Sequence, residues 1–217
     1  LTKHPVVIAG FVLAMFAVAG TALVSFTHQA TKARIASNER QALLRSLTAL
    51  VPAASIDNDI ISDVMTVSDP ELLGSENTTV YRGRSGGQPV AVVLTPVVPN
   101  GYSGPIKLLV AVRYDGTLGG VRIISHKETP GLGDKIEESR SDWIYSFTGK
   151  SLNNPPKAQW GVKKDGGVFD QFTGATITPR SIVAAVKKSL LYVQQHQQRL
   201  YDRTPLQEAT PGENNDG

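Results

Sequence analysis

Residues 107–126 read KLLVAVRYDGTLGGVRIISH, and this stretch decides the fold. Asp115-Gly116 is a hairpin signal, flanked by the runs Lys107 to Tyr114 and Val121 to His126. Leu108 to Val112 is continuously apolar instead of alternating. A strand of that kind has no solvent face, so it belongs in the middle of a sheet, covered on both sides. A tight turn between neighbouring strands makes the pair antiparallel.

Outward from the hairpin, Thr78 to Arg82 and Pro89 to Val98 carry β-branched runs bounded by Gly and Pro and predict two further strands. Ser55 to Asn77 is mixed, acidic and turn-rich, and no regular element is assigned there. On the other side, residues 128–133 form a glycine loop. Asp134 to Phe147 predicts a short helix with Ile136, Trp143, Ile144 and Phe147 inward. Asn153 to Gly167 reads as irregular. Pro179 to Tyr201 predicts an amphipathic helix, with Ile182, Val186, Leu190, Val193 and Leu200 on one face. Thr178 stands as its N-cap and Pro179 as its first residue. Arg203 to Gly217 has no apolar period and predicts a disordered tail. The fold class is α+β: a small, mostly antiparallel sheet packed with helices.

Before the sheet, Pro5 to Phe26 is 22 residues without a charge, PVVIAGFVLAMFAVAGTALVSF. At about 1.5 Å per residue such a helix spans about 33 Å, the thickness of a bilayer's hydrocarbon core. Ala17-Val18-Ala19 resembles a signal-peptidase site, but apolar sequence continues beyond it, so a permanent anchor is the expectation. Ala30 to Val51 continues as a helix, with Ile35, Leu43, Leu47 and Leu50 near one face, and Pro52 stops it. The expected organisation is a membrane anchor over 1–29 with its span at 5–26, a helical stalk and connector over 30–77, an α+β domain over 78–202 and a tail over 203–217. A count of basic residues on either side of the span would place the bulk of the chain in the cytoplasm.

Composition narrows the chemistry. The 217 residues contain no Cys, which excludes disulfides, thiolate metal sites and thiol nucleophiles. With 22 basic against 19 acidic residues, and no basic run with interleaved aromatics, no nucleic-acid footprint is present. The four His are scattered, and no metal site or hydrolytic constellation is expected. His126 alone lies near an unusual segment, and a structural role fits its local pattern best.

Two segments stand out. Glu128-Thr129-Pro130-Gly131-Leu132-Gly133 is a rigid turn whose glycines permit close approach to a ligand. Asp170-Gln171-Phe172-Thr173-Gly174-Ala175-Thr176-Ile177-Thr178-Pro179-Arg180 crowds three hydroxyls around a Gly-Ala pair and runs into a helix N-terminus, whose free N–H groups and dipole suit a phosphate. A turn followed by a capped helix accounts for the same residues, as in a membrane-anchored scaffold or binding protein without a redox role.

The motif Asp170-x-x-Thr173-Gly174-Ala175-Thr176-x-Thr178 resembles the acceptor motif of the RnfG/NqrC family, whose members carry FMN covalently. The segment from Glu128 to Gly133 resembles the family's second signature. An anchor, both motifs in this order and a C-terminal helix extend the resemblance over nearly all of the chain except the tail. Thr173 stands where Ser is common, and it keeps the hydroxyl.

The resemblance implies an electron-carrier subunit of an ion-translocating NADH:ferredoxin oxidoreductase, or of the related sodium-translocating NADH:quinone reductase; the compact length favours the former. It implies FMN joined through its phosphate to the Thr178 hydroxyl by a flavin transferase. Thr173, Gly174, Ala175 and Thr176 would lie near the phosphate and ribityl chain, and Glu128, Thr129, Gly131 and Leu132 would approach the flavin. It implies no independent turnover, and partners among RnfA, RnfB, RnfC, RnfD and RnfE in a bacterial inner membrane. It also places the FMN domain in the periplasm, against the charge count; a long domain translocates largely regardless of charge.

Overall fold

The apolar run 108–112 lies within the central strand of a six-stranded antiparallel sheet in the computed structural model, which describes residues 5–202. The tail expected over 203–217 lies outside the described residues. The strands are β1 (Val64–Asp69), β2 (Ser75–Ser85), β3 (Gln88–Leu94), β4 (Val97–Val98), β5 (Ile106–Arg113) and β6 (Leu118–Ser125). β5 pairs with β3 over Val110–Arg113 and with β4 at Ile106 and Lys107. Its other edge takes β6, closing the hairpin read at Asp115-Gly116. β2 pairs with β3, and β1 with β2. The class is α+β.

Leu108 to Val112 are all buried, as two-sided cover requires. Leu108, Val110 and Val112 join the main core with Ile182, Val183, Val186, Leu190 and Val193 of α3 (Ile177–Gln195). The alternate residues Leu109 and Ala111 are buried on the other face, where Leu50 lies over Gly119 beside Ala111, Val51 lies over Gly83, and Leu47 is buried as well. Small residues make that approach possible. A Cβ on Gly119 would lie 2.9 Å from the Leu50 carbonyl oxygen, and one on Gly120 would lie 2.9 Å from Leu50 Cδ2. At one end of the core Trp143, Phe147, Trp160, Phe169 and Phe172 pack as an aromatic cluster, with Phe147 and Phe169 stacked at 4.7 Å.

The chain divides into two units after Arg45. The helix α1 (Pro5–Leu50) supplies all the described part of the first and the opening residues of the second. Its segment Val7–Lys32 has mean hydropathy 2.4 and no buried residue. It is long and apolar enough to cross a membrane. Thr21 and Thr27 donate their hydroxyls to the carbonyls of Ala17 and Leu23, both at 2.8 Å, so neither hydroxyl is left unpaired there. On the predicted stalk face Ile35 is exposed, whereas Leu47 and Leu50 are buried.

Four local expectations are corrected. Residues 55–77 carry β1 and the short helix α2 (Pro70–Leu73), so the sheet begins before residue 78. β1 is an edge strand that buries only Met65 and Val67, and Asp and Ser hide its period. Residues 134–147 form two 3₁₀ segments, Gly133–Ile136 and Asp142–Phe147, in place of one helix. Ser141 separates them: its hydroxyl donates to the Lys135 carbonyl at 2.6 Å and accepts from the Trp143 N–H at 3.2 Å. The four predicted inward side chains are nevertheless buried. The last helix breaks at His196, with α4 (Gln197–Tyr201) following. Finally, α3 begins at Ile177, two residues before Pro179.

The C-terminal end is tied to the sheet by a charged knot. Asp63 bonds the Nε atoms of Arg82 at 2.6 Å and Arg84 at 2.9 Å, and these guanidinium groups also donate to the carbonyls of Tyr201 and Asp202. Both Arg side chains are about nine-tenths buried. Removing the only carboxylate paired with them among the described residues leaves two buried cations, so Asp63→Ala is expected to cost roughly 3–5 kcal/mol. Chemical denaturation of wild type and variant measures it; a loss below about 1 kcal/mol would show the knot to be dispensable.

Candidate functional site

Trp143 starts the construction of the site. Its indole N–H donates to the Asp170 carbonyl at 2.8 Å, and Phe169 and Phe172 on either side sit in the aromatic cluster. These contacts fix the entrance to the acceptor segment. The chain then turns: Ala175 N–H donates to the Phe172 carbonyl at 3.1 Å, with Gly174 at φ 82°. A side chain at that φ is strained, which is why Gly occupies it. Beyond the turn α3 starts.

Thr178 is not the N-cap. Thr176 holds that position, and Thr178 and Pro179 are the second and third helical residues. The first N–H groups of a helix have no intrahelical acceptor, so Pro is tolerated this early. Thr178 is fully buried, and its hydroxyl donates to Oε2 of Glu128 instead of capping the helix. The N–H groups of Ile177 and Thr178 have no acceptor among the described residues, so both remain at the positive end of α3.

Glu128 arrives from the other motif and is held at several points. Its Oε1 accepts the Ser103 N–H at 3.0 Å, and its own N–H donates to Nδ1 of His126 at 3.0 Å. Since Nδ1 accepts, Nε2 of His126 is left to donate to Glu137 Oε1, at 2.7 Å. That bond, with a smaller one from Ser139, holds the Glu137 carboxyl below the usual carboxylate range. His126 is thus a structural support, in line with its local pattern.

Two glycines carve the space for Glu128. A Cβ on Gly133 would lie 2.7 Å from Glu128 Oε2 and 3.2 Å from Thr178 Oγ1; one on Gly101 would lie 2.9 Å from Glu128 Oε1. Between Glu128 and Gly133 the loop folds on itself. Leu132 and Gly133 both donate to the Thr129 carbonyl at 3.1 Å, with Gly131 at φ 78°.

Of the residues singled out from sequence, the structure brings Glu128 and Thr178 into direct contact. Leu132 lies against the Gly174 turn, its Cδ2 3.4 Å from where a Cβ there would sit. Thr129, Gly131, Leu132, Thr173 and Gly174 are exposed around the pair, and Ala175 and Thr176 are half-buried. Arg180 points its charge elsewhere: its guanidinium makes a two-pronged pair with Asp165, at 2.6 and 2.8 Å. Sequence reasoning missed Ser103 and Gly101. Asn100-Gly101 and Ser103-Gly104 mark a loop, but nothing in them names Glu128 as its partner. Among the described residues no cluster of His, Asp and Glu could hold a metal.

The arrangement is a buried hydroxyl on the first turn of a helix, beside a buried carboxylate, beneath an exposed glycine loop. It suits attachment of a phosphate-bearing group whose bulk remains outside. Residues 101–191 match the FMN-binding domain family, and residues 3–50 match the RnfG N-terminal region. The G component of the ion-translocating oxidoreductase complex of Pseudomonas aeruginosa (strain UCBPP-PA14) is 46% identical over 200 residues, covering 92% of this chain and 94% of that protein. The corresponding G components of Pseudoalteromonas atlantica and Vibrio cholerae (strain M66-2) are 45% and 43% identical over 193 and 194 residues. These cover 88% and 89% of this chain and 90% and 93% of theirs. The domain is an FMN-binding domain behind an apolar N-terminal helix. The chain belongs to the RnfG family, the G components of ion-translocating oxidoreductase complexes.

Gly133→Ala forces a methyl group against both Glu128 and Thr178, and an overpacked site of this kind costs about 1–3 kcal/mol. Gly131→Ala has open space around it and pays only for its backbone, about 1 kcal/mol. Urea denaturation of the two variants should therefore rank Gly133→Ala as the more damaging. The reverse order would mean that the Glu128–Thr178 contact is loose enough to absorb a methyl group.

Proposed function

We propose that this chain is the electron-carrying FMN subunit of a membrane ion-translocating NADH:ferredoxin oxidoreductase, with FMN joined through its phosphate to Thr178. The observation that carries the reading is the position of that hydroxyl. It lies on the first turn of α3, with the Ile177 and Thr178 N–H groups unpaired beside it among the described residues, and the second motif packed on it through Glu128. A phosphodiester there would face the positive end of a helix of 19 residues.

Thr173 to Thr176 would line the phosphate and ribityl chain. The exposed turn Thr129–Leu132 and the exposed side chain of Ile177 would border the ring. Bound there, FMN supplies one-electron redox chemistry. The protein holds the cofactor against dilution, keeps the linkage atom buried and leaves the ring side accessible to a redox partner. Turnover belongs to the complex. The partners in this reading are RnfA, RnfB, RnfC, RnfE and above all the membrane subunit RnfD, with a flavin transferase needed for maturation. The apolar helix anchors the chain in a bacterial inner membrane with the FMN domain on the periplasmic side.

The test is mass spectrometry of a tryptic digest from membranes that also contain an active flavin transferase. The peptide Asp165–Arg180 is expected to carry FMN less one water, with fragment ions placing the gain on Thr178. Thr178→Ala should abolish the adduct and leave the denatured chain colourless. A wild-type peptide found only unmodified would remove the covalent reading.

A further inference from the structure

Tyr102 is 68% exposed, more than any other aromatic residue outside α1 among those described. The other two strongly exposed tyrosines have partners within the domain. Tyr114 meets Tyr201 edge to face with centroids 5.1 Å apart. Tyr145 carries the Arg122 guanidinium 4.8 Å from its ring centroid and donates its hydroxyl to Glu138 at 3.3 Å. The Tyr102 side chain makes no ring contact, cation contact or hydrogen bond among the described residues. We infer that its partner is the flavin: Tyr102 is the aromatic face on which the isoalloxazine ring rests, and it sets the ring's position and potential. This rests on the reading that FMN is held beside Thr178.

Position carries the inference, since single exposed apolar side chains are ordinary on a protein surface. The backbone on both sides of Tyr102 is clamped to the site. Ser103 N–H donates to Glu128 Oε1 at 3.0 Å, and a Cβ on Gly101 would lie 2.9 Å from the same oxygen. The other oxygen of that carboxylate accepts from Thr178. Ser181, on the next turn of α3, donates its hydroxyl to the Asn100 carbonyl at 2.9 Å. Followed through standard bond lengths, these contacts put the Tyr102 Cα no more than about 10 Å from Thr178 Oγ1. The five-carbon ribityl chain of FMN reaches across such a gap.

Two further exposed apolar side chains stand around the same hydroxyl. Leu132, 42% exposed, lies against the Gly174 turn, and Ile177, 45% exposed, precedes Thr178 in the chain. Three separate segments thus offer apolar surface around one attachment point. A flavin ring is flat and aromatic, and an aromatic side chain stacks on such a ring in an offset arrangement. The clamped loop cannot recede from it, so the contact is prepared before the cofactor arrives. The phenol ring is electron-rich and the oxidised flavin electron-poor, so stacking favours the oxidised form and lowers the potential.

The experiment uses the full chain in detergent, loaded with FMN by the flavin transferase, and reads the flavin fluorescence lifetime and reduction potential. A tyrosine in contact with a photoexcited flavin gives it an electron and takes it back, which quenches the emission; Phe stacks but does not quench. Tyr102→Phe is expected to lengthen the lifetime several-fold with little change in potential. Tyr102→Leu should lengthen it as much and also raise the potential. Tyr145→Phe, whose ring partner is Arg122, should change neither. Thermal melting and the colour of the denatured chain report folding and loading. If Tyr102→Leu does not fold or load, the conservative Tyr102→Phe decides. A wild-type lifetime in Tyr102→Phe overturns the inference, as does equal lengthening in Tyr145→Phe. A wild-type chain that takes up no flavin defeats the FMN reading itself.

Discussion

The two-sided burial of β5 is the constraint from which the rest of the structure follows. Five consecutive apolar residues, Leu108 to Val112, present side chains to both faces of the sheet. Leaving either face wet would forfeit about 1.5–3 kcal/mol for each large side chain. One face is therefore covered by α3 and the other by Leu47, Leu50 and Val51. The second cover works only because Ala111, Gly119 and Gly120 are small, so that the sequence of β6 is dictated by what lies on it. Once α3 is laid on β5, its first turn has a fixed position. The loops after β4 and β6 reach that turn, bringing Ser103, Glu128 and Gly133 to Thr178. The site is thus a product of the sheet's need for cover, and its precision is inherited from the core.

Sequence alone made the hairpin, the central strand and the buried face of α3 legible, because each is written in local periodicity. The core side chains of residues 134–147 were legible for the same reason, although their backbone was not. Periodicity records which side chains face inward, while Ser141 decides by its hydrogen bonds where the backbone breaks. β1 escaped notice because an edge strand buries only two side chains and needs no long apolar run.

The start of α3 shows a different limit. Thr followed by Pro is a sound local signature for a helix beginning, and it points to Thr178 as the cap. The Thr178 hydroxyl has a better partner fifty residues earlier in the chain. A buried hydroxyl without a partner is costly, and Glu128 satisfies it from a distance that no local rule can see. The helix starts two residues sooner, and Pro179 is accommodated because its missing N–H would have been unpaired there anyway. Both residues of the contact could be singled out by motif, but the contact between them is a property of the fold.

The charge arrangement at the contact runs against what stability alone would select. Glu128 is almost wholly buried, and no ion pair reaches it among the described residues. The nearest candidate by sequence, Arg180, is taken up by exposed Asp165. A buried carboxylate held only by hydrogen bonds and a helix end is a net cost, and an amide of the same shape could accept from Ser103 through its oxygen and donate to the Thr178 hydroxyl through its nitrogen with less desolvation. A cation in that position could accept neither hydrogen bond. The residue that is present accepts from both the Thr178 hydroxyl and the Ser103 N–H, and the structure bears the cost of desolvating it to hold the two motifs together. Local disagreement between stability and residue choice, confined to one well-supported contact, is the pattern expected at a functional site.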